Sequence, residues 1–129
     1  DGNFTPSVLG ATVAGVGSYF HQIGKYTRVG NLVTFTISLA WSAHTGTGNM
    51  LIGGMPFYST NTSFHDGCYF TVLYDQMTAA AGKQVVAVIG ANSINLQLQM
   101  CDPGGSFLSS VAIDSSVGKL GISGSYFCV

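Results

Sequence analysis

The sequence predicts an all-β fold, an antiparallel β-sandwich of the jelly-roll kind with about eight or nine strands. Three observations carry that expectation. Charged residues make up only 7% of the 129-residue chain, glutamate is absent and glycine takes 18 positions, whereas an ordinary globular chain is about a quarter charged. The remaining surface is supplied by Ser, Thr, Asn and Gln interleaved with Val, Ile, Phe and Tyr, a mixture that suits pleated strands better than helices. Finally, apolar residues recur at every second position in several segments, and those segments stop at Gly, Asn, Pro or Asp. At 13.4 kDa the chain suits one domain, 1–129, burying roughly two-thirds of its unfolded surface.

The clearest element is the hairpin in GKYTRVGNLVTFTISLAW, residues 24–41. Val33, Phe35, Ile37, Leu39 and Trp41 fall on one face of its second strand, and Thr34, Thr36, Ser38 and Ala40 on the other. Gly30 and Asn31 accept the positive φ angles of a two-residue turn. With Val29 and Leu32 flanking the turn, Tyr26 comes opposite Phe35 and Arg28 opposite Val33, where the guanidinium can reach water. MLIGG at 50–54 reads as a short strand, and Pro56 turns the chain away. CYFTVLYDQ from Cys68 is a further strand, and DQMTAAAGK at 75–83 is the one place for a helical turn. QVVAVIG, the turn Ala91-Asn92-Ser93 and INLQLQM form a second hairpin with Ile94, Leu96, Leu98 and Met100 on one face. CDPGGS ends it, and GKLGISGSYFCV closes the chain with Leu120, Ile122, Gly124, Tyr126 and Cys128 facing one way.

The charge pattern excludes several functions. Lys25, Arg28, Lys83 and Lys119 form no cluster and the net charge is −1, so neither nucleic acid nor an anionic membrane surface is an expected partner. No apolar run approaches the roughly 20 residues of a membrane helix, and DGNFTPSV is not an intact signal peptide. The abrupt Asp-Gly-Asn start and the apolar end at Val129 suggest the C-terminal piece of a longer protein. Cys68, Cys101 and Cys128 lack any paired spacing and read as buried thiols of a protein made in a reducing cytoplasm. His21, His44 and His65 are too scattered to predict a metal site.

Enzyme chemistry has little anchor. No phosphate-binding glycine loop and no G-x-S-x-G elbow occurs, so no cofactor is expected. The only carboxylate side chains are Asp1, Asp66, Asp75, Asp102 and Asp114. Asp66 with Asp75 is the one pair that a polysaccharide-active enzyme would use, and the expectation is that the chain is no enzyme. The neutral strand faces, Thr34, Thr36 and Ser38 in one hairpin and Asn95, Gln97 and Gln99 in the other, point instead to a surface covered by a sister subunit, where buried charge would be costly. Sugar rings are held by an aromatic face beside hydrogen-bonding side chains. That pairing nominates Trp41 with His44, and Tyr58, His65, Asp66 and Tyr74 around the loop at 58–68. Core packing at a strand end is the competing role for Trp41.

Gly2-Asn3-Phe4-Thr5-Pro6, then Gln22-x-Gly24-x-Tyr26-Thr27-Arg28-x-Gly30-Asn31, then Ile52-Gly53-Gly54-Met55-Pro56-Phe57, together resemble the C-terminal domain of bacteriophage tailspike and tail-fibre receptor-binding proteins. The motifs cover about the first half of the chain, with a looser match at Ile122 to Tyr126. The resemblance implies a β-sandwich that assembles as a parallel homotrimer at the tip of a virion's tail, after synthesis in the bacterial host cytoplasm. In some members such a domain binds host cell-surface polysaccharide. A purely structural trimerisation clamp is the alternative that the same motifs allow.

Overall fold

The computed structural model describes residues 1–60, 69–77, 82–101, 108–113 and 117–129. Within them the chain is all β. The strands are β1 (Gly2–Phe4), β2 (Ser7–Gly10), β3 (Gly17–Val29), β4 (Leu32–His44), β5 (Met50–Gly53), β6 (Tyr69–Asp75), β7 (Gln84–Ile89), β8 (Leu96–Cys101), β9 (Leu108–Ser110) and β10 (Gly118–Phe127). All ladders are antiparallel and join in the order β1-β3-β4-β10-β6-β7-β8-β5-β2, with β9 beside β8. One continuous sheet therefore curls into two facing halves, an arrangement consistent with the sandwich expected from sequence. The ten strands exceed that expectation because β1, β2 and β9, of three or four residues each, are too short to show a period.

Alternation decides which face turns inward. Val33, Phe35, Ile37, Leu39 and Trp41 of β4 meet Phe70 and Val72 of β6, Leu120, Ile122 and Tyr126 of β10, and Val85, Ala87, Ile89, Leu96 and Leu98 of the second hairpin in one core. The accessible surface is 6495 Å², against about 6500 Å² for a folded monomer of this mass. The chain thus closes its core by itself.

The first hairpin has the expected register: Val29↔Leu32, Arg28↔Val33 and Tyr26↔Phe35. The rings of that last pair diverge. Phe35 packs edge-on against Phe70 at 5.0 Å and near Tyr126 at 5.9 Å, whereas Tyr26 meets Phe57 at 5.3 Å. Arg28 is exposed as expected, and its guanidinium also lies 4.7 Å over the Phe57 ring while Nε donates to Gly30 O at 2.8 Å. In the second hairpin Ile94 lies in the loop, since β8 begins at Leu96. Asp75 ends β6, and the rest of the expected helical turn falls mostly on 78–81, outside the described residues.

The sheet's free end is closed by side chains. One edge of β2 pairs with β5, and the other runs beside β3 and β4. There the Val8 N–H donates to Tyr19 Oη at 2.9 Å, Gln22 Nε2 donates to Pro6 O at 2.9 Å, and His44 Nε2 donates to Val8 O at 2.7 Å. Three side chains so satisfy backbone groups that a ladder partner would otherwise take.

Candidate functional site

The four described residues expected to hold a glycan, Trp41, His44, Tyr58 and Tyr74, do not form one surface. Trp41 is 1% exposed and His44 3%, so both leave the expected sugar-binding face and become core residues. The physical reason is a ladder irregularity. Gly17 pairs with His44, Ser18 with Ala43, Tyr19 with Trp41 and His21 with Ala40, which leaves Ser42 and Phe20 without partners in register. In a regular strand residues 41 and 44 would face opposite ways; the extra residue turns both inward. Trp41 lies against Gly118, whose missing Cβ makes room for the indole. The indole N–H has no acceptor among the described residues.

His44 is fully used. Its Nδ1 accepts the Gly46 N–H at 2.9 Å while Nε2 donates to Val8 O, an arrangement that fixes the neutral Nε2–H tautomer. Tyr74 is half-buried and donates from Oη to Lys83 O at 2.6 Å. His65 and Asp66 lie outside the described residues, as do Cys68, Asp102 and Asp114. Asp75 stands opposite Lys119 across the β6–β10 ladder. No group of three His, Cys, Asp or Glu side chains suited to a metal ion occurs among the described residues.

Among the described residues expected to hold a ligand, Tyr58 is the exposed one, at 50% exposure. Its backbone is held on several sides. Val129 N donates to Tyr58 O at 3.2 Å, Thr60 N to Phe127 O at 3.1 Å, and Tyr126 Oη to Phe57 O at 2.8 Å. Buried Ser59 ties this segment to the β7–β8 loop, accepting from Ser93 N at 3.0 Å and donating to Gly90 O. A rigid seat of this kind lowers the entropy lost when a ring is stacked on the tyrosine.

Tyr126 ties that seat to pH. Burial pushes its phenol from the usual 10.0 up to about 12. A phenol whose pKa is raised by folding supports the fold fully below pH 10 and loses that support as pH rises toward 12. The loss is on the order of 2–3 kcal/mol. Tyr126→Phe is expected to flatten the alkaline fall in melting temperature between pH 10 and 12; an unchanged slope would place the titration elsewhere.

The second feature is the outer face of the sheet, ordered in rows across β3, β4, β10 and β6. From the hairpin end the rows run Val29-Leu32-Phe127, Thr27-Thr34-Ser125, Lys25-Thr36-Ser123-Thr71, Ile23-Ser38-Gly121-Leu73 and His21-Ala40-Lys119-Asp75. Hydroxyls occupy the centre, with Thr34 and Ser125 in hydrogen-bond contact at 3.0 Å. Leu73 is 81% exposed and Ile23 49%, flanking the small pair Ser38 and Gly121. Sequence reasoning found the hydroxyls of this face from β4 alone but missed Leu73. YFTVLYD has apolar residues on both faces, so alternation does not say which face is inside.

No protein family, curated protein or solved structure matches the chain.

Proposed function

We propose that this chain is a non-enzymatic trimerisation module from the tip of a bacteriophage tailspike or tail fibre, contributing to recognition of host cell-surface polysaccharide. The observation that carries the assembly half is the outer face: a sheet surface of threonine and serine rows, the exposed aliphatic side chains Ile23, Val29, Leu32 and Leu73 and few charges, on a chain whose core is already complete. Such a composition suits contact with a second copy, since hydroxyls can pair across it and little charge must be desolvated. The motif resemblance supplies the threefold, parallel arrangement and the tail location.

The recognition half rests on Tyr58, an exposed ring on a braced backbone. Tyr58→Ala is expected to reduce binding to polysaccharide extracted from the host by about tenfold, the effect of losing roughly 1.4 kcal/mol of stacking, while size-exclusion volume stays that of the parent. Unchanged binding would remove Tyr58 from the site. The burial of Trp41 and His44 favours a second reading, a structural clamp that binds no sugar. In that case the unsubstituted chain retains no polysaccharide at all.

A further inference from the structure

We propose that the rotation axis of the assembly runs along the seam between β10 and β6, so that Leu73 of each subunit seats over Gly121 of the next. This rests on the reading of the chain as a parallel homotrimer, and it chooses one strip of the neutral surface as the centre of contact.

The starting observation is a glycine without a reason inside its own chain. Glycine in mid-strand costs conformational entropy and packs nothing, so each one asks what fills the space where its Cβ would be. For Gly2 the answer is the Tyr26 ring, for Gly24 the Phe4 ring, for Gly118 the Trp41 indole and for Gly124 the Phe70 ring, while Gly10 lies against backbone and Gly17 and Gly53 against other side chains; each of these Cβ positions meets an atom closer than 3.0 Å. Gly121 differs. A Cβ there would meet only Ile37 O, at 3.7 Å, an ordinary contact, and no positive φ is required. Two hollows of about 400 and 340 Å³ adjoin it, both also walled by Leu73. The monomer leaves this space open, and its neighbour Leu73 is the most exposed large apolar side chain described.

Symmetry connects the two. When identical subunits are arranged around an axis parallel to their strands, a residue to one side of the axis faces, at the same height, what lies on the other side in the next subunit. An axis above the β10–β6 midline therefore brings cross-strand partners together between subunits. The ladder pairs Gly121 with Leu73, Lys119 with Asp75 and Ser123 with Thr71. Every one of these is a complementary match: an apolar knob with an empty glycine, a cation with an anion, a hydroxyl with a hydroxyl. Moving the axis to the β4–β10 seam keeps the hydroxyl matches Thr36–Ser123 and Thr34–Ser125 but loses the other two kinds, because it places Ser38 over Gly121 and Ala40 over Lys119 and leaves Leu73 outside.

The test uses two chains, Leu73→Cys and Gly121→Cys, refolded together and mildly oxidised. Since each chain carries only one of the two new thiols, a 73–121 disulfide must join different subunits. It is expected in the mixture, identified by peptide mass, and absent from either variant alone. Gly121→Val provides the second arm: with open space around it the monomer keeps its circular dichroism and melting behaviour, and the assembly's mass falls about threefold because the seat for Leu73 is filled. A trimeric parent without the mixed disulfide, or a Gly121→Val chain that stays trimeric, overturns the axis placement while leaving the trimer intact. A parent chain that is monomeric under the same conditions overturns the trimer reading itself.

Discussion

Trp41→Ala is expected to cost the fold about 3–5 kcal/mol, the range for emptying a large buried aromatic site. The indole is 1% exposed and fills the space over Gly118 at one end of the β4–β10 ladder, so the paired strands cannot collapse into the cavity without breaking register. Trp41→Phe separates volume from polarity. Because the indole N–H finds no acceptor among the described residues, phenylalanine gives up no hydrogen bond and should retain well over half of the lost stability. Urea unfolding followed by far-ultraviolet circular dichroism measures both variants. A Trp41→Ala chain within about 1 kcal/mol of the parent would mean that the residue is not the core element described, and would return it to the surface role that its type alone suggests.

The second large effect is at His44. Replacing it with phenylalanine keeps an aromatic ring of similar breadth but strips Val8 O of its donor and the Gly46 N–H of its acceptor. A buried backbone group left unpaired costs about 1–3 kcal/mol; His44→Phe leaves the Gly46 N–H in that state and Val8 O with only the long contact to Tyr19 Oη at 3.5 Å. The damage should also be local in its first stage. Amide exchange is expected to accelerate at Val8 and Gly46 before the β4–β10 centre is affected, because Tyr19 and Gln22 alone then hold the free edge of β2. His21→Ala is the control: that imidazole meets only Ser38 Oγ, at 2.9 Å on the exposed face, and its loss should stay within about 0.5 kcal/mol. Equal effects at the two histidines would contradict the side-chain closure of the sheet.

These two residues also show where the sequence was legible. Nine residues of sequence alternation, Val33 to Trp41, made the β4 face readable, and the Gly30-Asn31 turn before them gave the register of the first hairpin up to that point. The reading failed from Ser42 onward, where the partners of β3 and β4 slip and residues 41 and 44 come to share a face. Nothing local in WSAH marks that slip. β2 was invisible for a different cause: SVLG is too short to show a period, and its partner β5 lies about forty residues away. The seam formed by Tyr19, Gln22 and His44 depends on both of these features and could not be anticipated. Low charge, by contrast, was visible throughout the chain, and the structure gives it a location. The uncharged strand positions gather into rows on the outer face, with Lys25 and the Lys119–Asp75 row as exceptions, and exposed apolar side chains stand out from it at Ile23 and Leu73 and in the Val29-Leu32-Phe127 row.

The glycine pattern sharpens that location. Seven strand glycines make room for rings, side chains or backbone of their own chain, and Gly121 makes room for nothing in it. A complete core with an unexplained opening beside an exposed leucine is the form expected of a subunit that folds first and associates afterwards, its interface formed by rigid surfaces rather than by shared core.

The central claim, that a second copy covers this face, is tested most directly by multi-angle light scattering of the unmodified chain at micromolar concentration. The account predicts about three times 13.4 kDa, persisting on dilution; a single species of 13.4 kDa would contradict it.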